Sequence, residues 1–249
     1  MRNKKDSRFS GLKNYVFFVL LFAAIGLSIG AVKSADPPFD LLPTLMRGLM
    51  TTLQLTLWGS LLALIVALIA GVARLSKNFL IRAITGFYIE FFRGTSILVQ
   101  MFWIFFVLPL PPFNLTLTPF QAGVIALGLN VGAYGAEVVR GAIQATEKGQ
   151  IEAAIALNMS PGLRLRRVVL PQAMVRIIPP FGNLLIELLK ATSLASLITL
   201  SDVTFQALSL RMSVGRTEEV FILLLIIYFL IAYPLTLGVR WIENRRQWA

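Results

Sequence analysis

The chain has 249 residues, 57% of them hydrophobic and 14% charged, with a formal net charge of +11 at pH 7. A soluble domain averages about a quarter charged residues; too little polar surface exists here to clothe a water-soluble globule, so the class is membrane protein. Cysteine and histidine are both absent, which excludes disulfides, thiolate chemistry, imidazole bases and nearly all zinc sites.

A helix crossing about 30 Å of hydrocarbon needs roughly 20 apolar residues. Six segments meet that demand, at roughly 15–32, 45–73, 84–108, 119–139, 177–200 and 219–240. The expected fold is an all-α membrane protein of about six transmembrane helices in one domain. Ahead of the first segment lies a basic tail, 1–14, with Arg2, Lys4, Lys5, Arg8 and Lys13. Tail, apolar stretch and Ala31-Val-Lys-Ser-Ala35 together imitate a secretory signal. The apolar stretch exceeds the usual run of about 7–15 residues, and Lys33 spoils the cleavage site, so a retained helix is expected.

Farther on, Gly94 to Ala136 carries no charge, and Pro109, Pro111, Pro112 and Asn114 divide it into two spans. Glu90 and Arg93, at i and i+3, are expected to pair. Glu137 and Arg140 stand at the end of the fourth span, where they are expected to steady its junction with the loop that follows. In the fifth segment Pro179-Pro180 with Gly182 predicts a broken helix. Glu187 and Lys190 share one face of it: either they pair and fix packing, or with Thr192 and Ser193 they line a pathway, since a zwitterion needs a group of each sign. Gln54, Asn130, Asn183 and Gln206 are expected to make interhelical hydrogen bonds. Tyr233-Pro234 predicts a kink in the last segment, before a short tail, 241–249.

The basic residues orient the bundle. The N-terminal tail, the gap with Arg74, Lys77 and Arg82, the gap from Arg140 to Arg176, and the C-terminal tail with Arg240, Arg245 and Arg246 are basic. The alternate gaps hold only Lys33, Arg47, Arg211 and Arg216, diluted by Asp36, Asp40, Asp202, Glu218 and Glu219. Both termini are therefore expected in the cytoplasm. Basic residues that cluster between spans, with no stripe of stacking aromatics, argue against a nucleic-acid partner.

The fourth gap is structured. Residues 147–157 favour helix, and Asn158 stands where that helix must reverse through the left-handed conformation. Ser160 is a natural N-cap and Pro161 a natural first residue for a second short helix carrying Arg164, Arg166 and Arg167, which Leu170-Pro171 is expected to end. The result is a helix–turn–helix elbow. Ala153 and Ala154 offer a surface on which another backbone can settle, and Glu152 offers a charge. Packing of the elbow against its own bundle is the plainer alternative.

That stretch, Gly149-Gln150-Ile151-Glu152-Ala153-Ala154 followed by Asn158 and Pro171, resembles the EAA loop of ABC-importer membrane subunits. The resemblance extends to the polar amino-acid uptake permeases of the histidine/glutamine/arginine type. It runs through Phe92-Arg93-Gly94-Thr95, Leu98-Val99-Gln100, Ala133-Tyr134, Ala136-Glu137, Arg140-Gly141, Leu170-Pro171-Gln172-Ala173 and Lys190-Ala-Thr192-Ser193-Leu194, in order, over roughly 45–240. The chain departs from the family at Asn158, where glycine is usual, and at Ser96, where proline is usual.

The resemblance implies a five-helix permease core, 45–240, plus the extra N-terminal helix, with a coupling loop at 141–171. It assigns docking on an ATPase to Gly149, Glu152, Ala153, Ala154, Asn158 and Pro171. It further implies two ATP-binding subunits that hold ATP and magnesium, an extracytoplasmic solute-binding protein, and a second permease, identical or homologous. The cargo implied is a polar amino acid or related zwitterion. The run Leu184 to Phe205 is similar to permeases for the compatible solutes ectoine and hydroxyectoine. No G-x-x-x-x-G-K-[ST] loop occurs, and no catalytic residue, metal site or cofactor is expected on this chain. The competing readings are an ion-coupled secondary carrier using Glu187 and Lys190, and a membrane scaffold that recruits a soluble protein through the loop.

Overall fold

The computed structural model describes residues 38–246, and among them every regular element is helical. The first expected span, 15–32, lies outside the described residues. Helix α1 (Leu42–Ala73) follows a 3-10 turn, Pro38–Leu41, and begins with Pro43 in its first turn, where a missing N–H costs nothing. At 32 residues it is about 48 Å long, enough to cross the hydrocarbon at a tilt.

Helix α2 (Phe79–Gly94) is capped by Asn78, whose side chain accepts from Leu80 N at 2.9 Å. Helix α3 (Ile97–Phe102), prolonged by a π-helical turn at Trp103–Val107, departs from α2 at 106°. The third span expected over 84–108 is therefore a bent pair. Its cause is local: Thr95 and Ser96 are both extended, so the helix stops after Gly94 and restarts on a new axis. Helix α4 (Pro119–Gln144) opens on a reciprocal cap: Thr118 Oγ1 accepts from Gln121 N and Gln121 Oε1 accepts from Thr118 N.

Two short helices, α5 (Lys148–Ala156) and α6 (Pro161–Arg164), make the elbow. The expected stop at Leu170-Pro171 does not occur. A π-helical turn, Leu165–Val169, carries α6 straight into α7 (Leu170–Ala191). Leu170 N donates to Leu165 O there, and Pro171, with no N–H to offer, stands where the bonding reverts from i+5 to i+4.

Pro179 and Pro180 also sit inside an uninterrupted α7. The break expected there comes later, at a 3-10 segment, Thr192–Ile198, that ends in left-handed Thr199 (φ 64°). The carbonyls of Val175 and Arg176, which lose their partners to the prolines, lie on an exposed face, so the helix survives them. Helix α8 (Val203–Val214) and helix α9 (Thr217–Arg246) complete the chain, and α9 passes Pro234 without ending.

Among the described residues four helical stretches are long and apolar enough to cross a membrane, or five where the bent α2–α3 pair counts as one span. The centre of the bundle is α1 against α4, and the two run parallel: Leu62 meets Gly128, Val66 meets Gly132, Ala67 meets Gly135 and Val139 meets Gly71. A methyl group at Gly71 or Gly128 would sit 2.6 Å from the opposing side chain, so the glycines set the separation of the axes. At the opposite end from the elbow, α1 receives α8 in the same way. Gly48 faces the Asp202 backbone, and Thr52 Oγ1 accepts from Val203 N at 3.2 Å.

Candidate functional site: an elbow, a lysine cavity and a buried amide clamp

In the elbow, α5 ends at a turn in which Asn158 has φ 54°, the left-handed conformation expected of it. Asn158 N donates to Ile155 O at 2.8 Å and Met159 N to Ala154 O at 3.1 Å, which satisfies the last carbonyls of α5. Ser160 Oγ accepts from Leu163 N, and Pro161 is the first residue of α6, both as expected. The elbow is tied to α7 by a Gln172–Gln150 side-chain bond and by Arg176 donating to the carbonyl of Ala145.

One expectation about its surface is corrected. Ala154 is only 3% exposed, turned against the protein's own bundle, so Ala153 alone of the two alanines faces outward with Glu152. Beside them stand Ile155, Leu157 (77% exposed) and Leu163, an apolar row whose exposure no local sequence signal marks. A Cβ on Gly149 would touch nothing within 4 Å, so its smallness serves no packing within this chain. Pro171 is exposed on the α7 side of the elbow.

The residues of α7 separate. Glu187 and Lys190 are both exposed and form no ion pair with each other. The pairing alternative fails because Lys190 is turned toward α9, where it lines a cavity of about 780 Å³, and the pathway alternative loses Glu187, which stands outside that cavity. Ser193 joins Lys190 in the lining and donates to its carbonyl at 2.9 Å. Thr192 does not join them: it is fully buried and donates to Leu189 O at 2.7 Å. The remaining polar lining comes from α8 and α9, where Thr204 and Tyr228 share a hydroxyl contact of 2.9 Å. Neither residue stood out in the sequence: Tyr228 is a lone hydroxyl in an apolar run, and Thr204 lies in a polar stretch between two spans.

Glu90 and Arg93 do not pair either. Glu90 meets Arg74 at 3.8 Å, and the Arg93 guanidinium lies 5.3 Å from the centre of the Tyr134 ring. Gly86 allows this: it leaves space for Arg74 to cross α2 and donate to the Arg82 carbonyl at 3.0 Å. Glu137 and Arg140 do pair, at 2.6 Å, and Arg140 also donates to Gln144 at 2.8 Å.

Of the four interior amides only Asn130 behaves as expected. It is buried and donates to Phe92 O at 2.9 Å and to Gln100 Oε1 at 3.1 Å, while Gln100 Nε2 donates to Thr95 Oγ1 at 2.6 Å and to Phe92 O at 3.0 Å. Gln206 bonds locally to Ser201, and Gln54 and Asn183 are exposed. At the end of the bundle away from the elbow, Arg216 binds Asp40 at 2.7 Å and the buried Glu219. Those carboxylates, Glu219 first, hold the guanidinium above its ordinary range.

Similarity to known proteins is extensive. Residues 59–248 match the family model described as binding-protein-dependent transport system inner membrane component. A probable amino-acid ABC transporter permease of Sinorhizobium fredii is 48% identical over 209 residues, covering 82% of this chain and 88% of that protein. The glutamine transport system permease of Escherichia coli is 35% identical over 204 residues, covering 82% and 93%. The L-cystine transport system permease of Bacillus subtilis is 39% identical over 214 residues, covering 84% and 91%.

Among solved structures, the crystal structure of an amino acid ABC transporter with histidines aligns with TM-score 0.77 at 34% identity, covering 83% of this chain and 95% of that one. An inward-facing methionine ABC transporter aligns with TM-score 0.63 at 20% identity over 82% and 98%, a likeness of fold alone. The ordered motifs, the all-helical bundle of apolar spans and these matches agree: the chain belongs to the inner-membrane components of binding-protein-dependent transport systems and is the permease subunit of an ABC importer.

Proposed function

We propose that this permease imports a polar amino acid or a closely related zwitterion, and that Lys190 and Ser193 meet it on the way through. The observation that carries the cargo reading is Lys190: an ammonium without a carboxylate partner among the described residues, lining with the Thr204 and Tyr228 hydroxyls a cavity of about 780 Å³. An amino-acid carboxylate fits that arrangement, and relatives named for glutamine and cystine support it. The same relatives lend no support to ectoine. Lys190→Gln is expected to lower uptake at least tenfold while leaving the amount of folded subunit unchanged; unaltered uptake would remove Lys190 from the pathway.

The drive comes from outside the chain. Family membership implies an ATPase and a solute-binding protein as partners; we assign two ATPase subunits, with their ATP and magnesium, to the elbow, and a second permease copy or homologue to the bundle. The termini and the elbow are placed in the cytoplasm on the Lys/Arg bias. The ATP cycle then moves a two-state bundle through Glu152, Ala153, Ile155 and Leu157. The chain has no cysteine, so a single cysteine at outward-facing Ala153 will cross-link without background. Capture of the ATPase is the expected result, and a cysteine labelled only from the extracytoplasmic side would defeat the assignment. Glu152→Lys is expected to leave the subunit folded and abolish uptake.

A further inference from the structure

Beside α2, at the same end of the bundle as the elbow, a second cavity of about 560 Å³ is lined by Arg74, Arg82, Arg93 and Arg140 with Glu90 and Glu137. Four arginines against two glutamates leave its lining with a formal charge of +2. The two acids do not neutralise it evenly. Glu137 is bound directly by Arg140 and also feels Arg93 and Arg74, and Glu90 is exposed and reaches Arg74 at 3.8 Å. Arg82 and Arg93 have no carboxylate within 4.0 Å among the described residues; each lies over a ring instead, Phe79 at 6.0 Å and Tyr134 at 5.3 Å.

Helix α2 presents a different surface on its other side. Leu80, Ile84, Phe87 and Phe91, at spacings of four, three and four, form an exposed apolar stripe, and Phe87 stacks on Phe91 at 5.9 Å. Arg82, Gly86, Ile89, Glu90 and Arg93 occupy the cavity side of the same helix. One helix thus carries a basic hollow on one flank and a greasy stripe on the other, the two faces that a charged headgroup and its acyl chains require together.

We propose that this cavity holds the phosphate headgroup of an anionic phospholipid from the leaflet on the elbow side, with the chains lying along the α2 stripe. The charge complements a phosphate, guanidinium forks suit its oxygens, and basic hollows between membrane helices recognise such headgroups. Arg82 and Arg93, the two arginines without an acid partner, make the contact, while Arg140, already bound to Glu137, shapes the wall.

The test is native mass spectrometry of the assembled importer, permease with its ATPase, taken from micelles supplied with equal phosphatidylglycerol and phosphatidylcholine. The wild type is expected to retain phosphatidylglycerol preferentially. Arg82→Gln and Arg93→Gln should each cut that preference about fivefold, the factor for one basic residue at an anionic surface. Arg82→Lys should keep most of it, and Lys77→Gln, outside the cavity, should change nothing. Equal retention of the two lipids, or an undiminished preference in both glutamine variants, overturns the proposal. So does displacement of the lipid by millimolar inorganic phosphate, which would mark the hollow as a site for a soluble anion.

Discussion

Asn130 on α4 donates its side-chain amide to Gln100 on α3 at 3.1 Å, and both amides converge on the carbonyl of Phe92, two residues before α2 ends. The 106° bend between α2 and α3 leaves carbonyls of the last turn of α2 without helical partners. The two amides supply those partners from a position that water does not reach.

Asn130→Ala therefore leaves Gln100 Oε1 without its donor and removes one of the two donors from Phe92 O. A loss of about 1–3 kcal/mol is expected for a buried polar group left unsatisfied, read as a lower unfolding midpoint in detergent. Gln54→Ala, at an exposed amide of the same bundle, should leave the midpoint unmoved.

Gly48 makes a sharper steric prediction. A Cβ there would lie 2.4 Å from the carbonyl carbon and oxygen of Asp202, both backbone atoms that cannot swing aside. Gly48→Ala must push α8 away from α1 and break the Thr52–Val203 bond, with an expected cost of about 1–3 kcal/mol for overpacking. Gly149→Ala, in open space, should fold as well as the parent, and thermal unfolding of the pair separates the two cases.

Asp202 lies between the spans, fully buried, and caps α8 by accepting from Phe205 N at 2.8 Å; its other oxygen has no partner. Burial pushes its carboxyl up to about 6, against the backbone hydrogen bonds that pull the other way. The unfolded chain titrates near 3.9, so between those values the folded state holds more protons. Stability from this group is complete below about pH 4 and is lost as pH climbs through about 6. Asp202→Asn keeps a capping oxygen and discards the charge. Its unfolding free energy should be flatter over that window and should exceed the parent's at pH 7.5 by an amount on the order of 2–3 kcal/mol.

Asn158 tests the elbow's geometry apart from its surface. Glycine at this left-handed position should preserve uptake, and Asn158→Val should cost about 1–2 kcal/mol and loosen the turn. ATPase co-purification with each variant is the measurement.

Local chemistry made much of this legible in the sequence. Asn158, Ser160 and Pro161 are short-range signals, and each does what its backbone preference dictates. The long apolar helices could be read because length and hydropathy are local sums. Long-range facts were not legible. Whether Glu187 meets Lys190 depends on where α9 lies, and whether Ala154 faces out depends on how α5 is rolled against the bundle. The pairs at 90/93 and 137/140 have the same spacing and charges but different outcomes, because Arg74 from another helix reaches Glu90 first. Helix α8 did carry signals at its ends, Asp202 before it and left-handed Gly215 after it, in a stretch read as a mere gap between spans.

The glycine seam between α1 and α4 also provides a ruler. At Gly71 and Gly128 the side chains of Val139 and Leu62 lie directly against the opposing backbone, so that α1 and α4 form one stiff beam. Spectroscopic labels on the outer faces of those helices will hold one separation throughout turnover. Displacements of α9 or the elbow can then be measured from that fixed baseline.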